Sequence, residues 1–156
     1  MASETVTVKS GPALSSRQFS TFFVADLFFG VDVVRVQEVL RFQPMTRVPQ
    51  APEVIEGLIN LRGQIVIAID ARRSLGLPPW QGEDTRANIV VRSEDGAVSL
   101  LVDDIDDVMD VPLDARSPVP DNMPAEQRDL IECVYNLKQG LMLVVHTANL
   151  LQVACS

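Results

Sequence analysis

Aromatic residues are scarce in this chain of 156 residues, at 5%, and six of the eight are Phe. Histidine occurs once and cysteine twice. Cys133 lies in an apolar run and Cys155 sits next to the last residue, a pattern unlike the disulfide framework of a small secreted domain. No apolar run approaches the roughly 20 residues needed to span a membrane. Met1 to Leu14 lacks the continuous apolar core of a signal peptide, so a cytoplasmic protein without membrane insertion is expected. Positive charge is also in short supply. Thirteen Lys and Arg face 21 Asp and Glu, for a net charge of −8. Nucleic-acid binding and anionic membrane surfaces both need the opposite balance.

The motifs of common chemistries are missing as well. The sequence holds no Gly-x-Ser-x-Gly, no P-loop and no paired metal-ligand spacing. The acidic run Asp103-Asp104-Ile105-Asp106-Asp107-Val108-Met109-Asp110 fails the EF-hand template, because no Gly falls at the turn position and no Glu closes a twelve-residue loop. It reads as a solvated edge or an acidic partner face. His146 follows an apolar strand, whereas kinase phosphotransfer needs a histidine on a helical bundle. Ser99, His146 and some Asp remain open as a triad on sequence alone, although nothing favours one. The expectation is no catalysis, no cofactor and no metal.

What the chain does have is apolar β-forming material. Apolar residues make up 47%, chiefly Val, Leu, Ile and Ala. Residues 1–17 show no sustained period and read as a flexible tail. Phe19 to Val24 and Phe28 to Val33 read as strands around a turn at Asp26-Leu27. Val34, Val36 and Val39 continue the apolar pattern through a segment that fits a strand or one helical turn. Pro44, Pro49 and Pro52 then break the chain into extended pieces. Val54 to Ile59 and Gln64 to Ile69 form a second hairpin around Asn60 to Gly63. Asp70 can cap a short helix that Gly76 ends. Trp80 to Arg86 reads as a loop.

The same order recurs. Asn88 to Arg92 and Ala97 to Val102 are strands around a turn at 93–96, and an acidic segment and a Pro-rich connection follow. A final hairpin runs from Leu130 to Val145, with Thr147 as a candidate helix cap. Shifted by 76 positions, Ile55, Glu56, Asn60, Leu61 and Leu75 meet Ile131, Glu132, Asn136, Leu137 and Leu151. Arg62 meets Lys138. For the first hairpin a shift of 69 aligns Val36, Glu38 and Val39 with Ile105, Asp107 and Val108. An internal duplication follows. Each half supplies about five short strands, too few to bury a core unless they close on themselves. The expected fold is mainly β: two intertwined five-stranded SH3-like barrels related by the repeat, with short helices and a groove between the barrels. The first barrel is drawn mainly from 18–78 and the second mainly from 87–152, within one domain over 18–156, and strands can exchange between them. Residues 1–78 carry a net +1 and residues 79–156 a net −9. That asymmetry suits head-to-tail contacts that weaken with salt, and it also suits mere solubility.

Phe29 to Val39 and, more specifically, Gly57-Leu58-Ile59-Asn60-Leu61-Arg62-Gly63-Gln64-Ile65-Val66 resemble the CheW family of chemotaxis adaptors. Val102 to Val108 is similar to the family's second-half pattern. The resemblance spans about Gln18 to Leu151. Departures fall at Ile67, Ala71, Cys133 and His146, the last standing where an acidic residue is frequent. The resemblance implies a non-catalytic scaffold linking the cytoplasmic tips of chemoreceptors to the regulatory domain of a CheA-type histidine kinase. It also implies recruitment to receptor arrays and ring contacts with other CheW-like domains. A non-flagellar chemosensory pathway is the sibling reading, and a small-ligand-binding double barrel is the alternative of another class.

The candidate interface comprises Val34, Val36, Glu38, Arg62, Gly63 and Val108. Val36, Glu38 and Arg62 match family positions assigned to the receptor surface. From the residues themselves, Val34, Val36 and Val39 read mainly as core, and any one exposed beside the groove would supply an apolar interface centre. Gly63 permits a tight turn that holds Arg62 on a rigid support. Arg62 then pairs with a partner's carboxylate, braces its own fold through Glu38 or Asp70, or does both.

Overall fold

A run of alternating Val, Ile and Phe between turn residues has few options other than hairpins, and four hairpins dominate the chain. The computed structural model describes residues 16–41, 43–82, 86–94 and 96–155. Most of the tail, Phe42, part of the 80–86 loop and Asp95 lie outside the described residues. Strands β1 (Ser16–Val24) and β2 (Leu27–Asp32) lead through a 3₁₀ turn, Val33–Arg35, into β3 (Val36–Arg41). The ambiguous valine segment is therefore both helical turn and strand. Asp32 makes that possible: its carboxylate accepts from the Val34 N–H at 3.1 Å and caps the turn. Strand β4 (Ile55–Leu61), β5 (Gln64–Asp70) and helix α1 (Ala71–Ser74) complete the first half.

The second half runs β6 (Ala87–Ser93), β7 (Gly96–Val102), β8 (Asp104–Pro112), β9 (Arg116–Ser117), α2 (Ala125–Arg128), β10 (Ile131–Leu137), β11 (Gly140–Val145) and α3 (Thr147–Cys155). Three expectations shift in detail. Ser16 and Arg17 are strand rather than tail, because they pair with Pro112 and Val111, and Asp32 holds the Arg17 guanidinium. The first turn is Ala25-Asp26, with Ala25 at φ 54 and Leu27 already paired to Val24. The cap of α3 is His146 rather than Thr147.

Two sheets result. One has the order β9-β10-β11-β2-β1-β8 and the other β3-β6-β7-β5-β4. Neither is built from one half of the sequence: the first hairpin of each half lies in the sheet that holds the second hairpin of the other half. The count of five holds for one sheet, while the two-residue β9 makes six in the other. The repeat survives in the hydrogen-bond register. Parallel β5 and β7 place Ile67 opposite Val98, and parallel β11 and β2 place Leu143 opposite Phe29. These are equivalent positions under the 76 and 69 shifts. A β-bulge falls between Ile55 and Gly57, and its equivalent between Ile131 and Cys133.

Exchange of strands explains where the core sits. The largest cluster lies between the sheets and takes Phe22, Phe29 and Val31 from one, Ile69, Ile89, Val91 and Leu100 from the other, and Leu75, Leu150 and Leu151 from the segments after the hairpins. Each sheet also curls around an interior of its own. Phe19, Val111, Cys133, Tyr135, Met142 and Val144 fill one, and Ile59, Leu61, Val66, Ala68 and Val90 fill the other. Central strands are thus apolar on both faces, which is why Val66, Ala68 and Ile69 read as a continuous run.

Polar contacts then tie one sheet to the other. Arg72 on α1 donates from Nε and Nη2 to Asp103, at 2.9 and 2.7 Å, just beyond β7. Asp103 also accepts from the Ala25 N–H at 2.6 Å, and its own N–H donates to the Phe23 carbonyl. Trp80 lies against the guanidinium groups of both Arg72 and Arg86, at 5.4 and 5.8 Å. Arg86 in turn reaches the buried Asp70 at 3.2 Å.

Candidate functional site

The six candidate residues fall into two groups. Glu38, Arg62 and Gly63 meet at one rim of the five-stranded sheet, with Val34 and Val36 leading into the same strand. Val108 lies on β8, the edge of the other sheet.

The turn begins with Asn60. Its side-chain oxygen accepts from the Gly63 N–H at 2.9 Å. Arg62 and Gly63 both adopt positive φ, at 52° and 89°, the pattern of the tight turn that matches the twist of a hairpin. A Cβ added at Gly63 would touch nothing within 4 Å, so the backbone conformation and not crowding calls for glycine. The turn aims Arg62 at β3, the opposite edge of the sheet, 24 residues away in sequence. Arg62 Nη1 donates to Glu38 Oε2 at 2.8 Å, and Nη2 donates to Oε1. Beside this pair Gln37 and Gln64 are also joined. The bidentate pair spans the sheet from edge to edge.

The two members of the pair sit differently. The Glu38 side chain is 18% exposed and that of Arg62 is 73% exposed. The Arg62 hydrogen bonds hold the Glu38 carboxyl below the usual carboxylate range, and Glu38 raises Arg62 correspondingly. Asp70, the other proposed brace, is taken by Arg86 and Arg73.

The valines divide as well. Val34 is 77% exposed on the 3₁₀ turn, beside Arg35, Arg92 and Glu94. Val36 is half-buried against the main core. Val108 is exposed, and so is Val39, its repeat equivalent. The 3₁₀ turn lifts Val34 out of the strand alternation, which is why a core reading fails there and holds for Val36. Arg41 on β3 reaches Asp104 on β8 at 3.7 Å, so the edge strands carrying Val39 and Val108 approach each other at one end.

Sequence reasoning missed several exposed apolar side chains, three of them in hairpins. Ile65 and Leu141 are equivalent under the 76-residue shift, and both are exposed just after a hairpin turn. Phe23 joins Phe28, Met123 and Leu141 around an open groove of about 680 Å³. A hairpin's first outward position carries no mark in sequence that separates it from the buried ones beyond it. Ser99 and His146 do not form a catalytic arrangement: the buried Ser99 hydroxyl donates to Asn88, and His146 Nδ1 accepts from the Asn149 N–H. The apolar cavity between the sheets holds about 20 Å³, room for about one water and far below a ligand pocket. No helix among the described residues is long and apolar enough to cross a membrane.

A family model described as a CheW-like domain matches residues 18–155. The chain is 31% identical over 105 residues to a probable chemotaxis protein CheW of Rhizobium etli, covering 67% of this chain and 68% of that one. It is 28% identical over 124 residues to the chemotaxis protein CheW of Bacillus subtilis, with 80% of each chain covered. A crystal structure of the scaffolding protein TtCheW from Thermoanaerobacter tengcongensis superimposes with a TM-score of 0.75 at 25% identity, over 83% of this chain and 88% of that one.

Proposed function

This chain belongs to the CheW-like family of chemotaxis scaffold proteins, and we propose that it couples chemoreceptor tips to a CheA-type histidine kinase as a non-catalytic adaptor in the cytoplasm. Val34, Val36, Glu38, Arg62, Gly63 and Val108 are the residues proposed to meet those partners, and further CheW-like domains extend the assembly in rings.

The observation that carries the reading is the rim at Arg62. It offers a preorganised guanidinium on a rigid turn, already engaged by Glu38 on one side and mostly open to solvent on the other. An exposed valine lies on the turn that leads into the strand carrying Glu38. Apolar surface beside a fixed fork of donors suits a helical partner that brings a carboxylate or free carbonyls. Holding Arg62 in place beforehand lowers the ordering cost of binding. On this reading Arg62 both braces the sheet and meets the partner.

The test is a pull-down of the purified protein with the cognate kinase regulatory domain and a receptor-tip fragment. Binding of both is expected, and failure to bind either one under conditions where the fold is intact would overturn the proposal. The same experiment with Arg62→Ala separates the roles. Lost binding with normal melting makes Arg62 an interface residue, and early melting with binding retained makes it a brace alone.

A further inference from the structure

The repeat sets Asp70 and His146 at equivalent positions, each at the end of a hairpin's second strand and each capping the helix that follows. The Asp70 carboxylate accepts from the Arg72 N–H at 3.0 Å. The His146 Nδ1 accepts from the Asn149 N–H at 3.2 Å, while its backbone N–H donates to the Leu130 carbonyl and its carbonyl starts the helix through Leu150. A carboxylate at a cap keeps its acceptor character at every ordinary pH. An imidazole accepts through Nδ1 only while neutral, with its proton on Nε2. On protonation Nδ1 becomes a donor that faces another donor, and a positive charge sits at the positive end of the helix.

The surroundings offer that charge little relief. Strand β11 and helix α3 carry no charged residue, β7 carries none, and β6 carries only Arg92. The remaining charged groups on adjoining segments are Glu126 and Arg128 on α2, Asp129 directly after it, Glu132 on β10, and Asp32 at the end of the parallel neighbour β2, which is paired with Arg17; none of them forms an ion pair with the ring among the described residues. Asp129 takes part through its carbonyl, which accepts from the Asn149 amide at 2.6 Å.

We infer that His146 is a proton-sensitive latch on the C-terminal helix: protonation withdraws the cap and loosens α3 from the core between the sheets. The helix has a marginal length and depends on its cap and on burial of Leu150 and Leu151. It packs on β6 and β7, and β6 is the strand paired with β3. Loosening α3 therefore acts on the sheet that carries Glu38.

Hydrogen exchange on the full chain tests the inference, with protection of the 147–155 segment corrected for intrinsic exchange and compared at pH about 8 and about 5. Protection of α3 in the wild type falls roughly 3- to 30-fold at the lower pH, the range expected for loss of one cap. The 71–74 segment, capped by Asp70, shows no such fall. His146→Asn and His146→Asp keep an acceptor that does not titrate in this range, so α3 stays equally protected at both pH values. Unchanged wild-type protection overturns the inference, and so does an equal fall in the Asn and Asp variants.

Discussion

The two second hairpins, β4–β5 and β10–β11, share a bulge, a parallel neighbour and an apolar interior, yet their rims differ. In the first, Arg62 and Gly63 turn with positive φ and Arg62 reaches Glu38 across the sheet. In the second, Lys138 and Gln139 turn without positive φ, Gly140 follows at φ 129°, and no ion pair joins Lys138 to Asp107 among the described residues. The difference teaches that duplication preserved the parts that build a sheet and left the rims free to diverge. The interiors are bound by packing, where one methylene matters. A rim residue is released from that constraint and is available to partners.

The comparison rests first on the sheets being held together as one unit, and the largest effect is expected there. The Arg72–Asp103 pair is mostly buried, with side chains 16% and 11% exposed. Asp103→Ala strands the arginine, so a loss of about 3 kcal/mol is expected in urea unfolding. An intact midpoint would show that the two sheets hold their arrangement by apolar contact alone.

Gly57 and Cys133 occupy the same place after the bulge and predict opposite outcomes. A Cβ at Gly57 would meet the Thr46 carbonyl at 2.8 Å, where residue 46 bridges Leu58. Cys133 already fills its own site. Gly57→Val is expected to cost about 2 kcal/mol and Cys133→Val less than about 1.5, read from thermal melts of both. Equal costs would erase the distinction.

The turns give a smaller effect. Gly63→Ala is expected to cost about 1 kcal/mol, because positive φ disfavours any Cβ, while Gln139→Ala at the other turn changes stability very little.

The smallest effect on stability, and the sharpest on chemistry, belongs to the Arg62–Glu38 pair. Glu38 has its carboxyl depressed in the folded protein, so the pair's contribution is present above the ordinary carboxylate range and is lost as pH falls through the folded value. Carbon-detected NMR titration of Glu38 should show its midpoint rising in Arg62→Ala, with little change in melting because Arg62 is mostly exposed. A Glu38 midpoint that ignores Arg62 would remove the reason for treating the first rim as special.

Much of this was legible beforehand, and the legible part has a common physical character. Hairpins, the Asn60 to Gly63 turn, the Asp70 cap and the Gly76 stop are local, set by neighbours a few residues apart. The repeat was visible because both halves bury the same apolar positions. Sequence offers Arg62 a partner's carboxylate, Glu38 or Asp70, and choosing Glu38 over Asp70 as its brace required knowing that β3 forms the edge opposite β4. The exposure of Val34 depends on a 3₁₀ turn capped by Asp32, which the valine pattern alone conceals. Ile65 and Leu141 look like core valines and leucines, since burial depends on what another segment covers.

By itself, the sequence determined the strands, most of their turns and their internal duplication. These follow from side-chain alternation, backbone freedom and residue chemistry, all of which act over short stretches. Tertiary structure alone decided that each sheet takes a hairpin from the other half, that Asp103 joins Arg72 to the first hairpin of the other sheet, and that His146 rather than Thr147 caps the last helix. Each of these depends on which distant groups meet, and the rim at Arg62 is a product of both: a turn written locally, and a carboxylate brought to it from the opposite edge of the sheet.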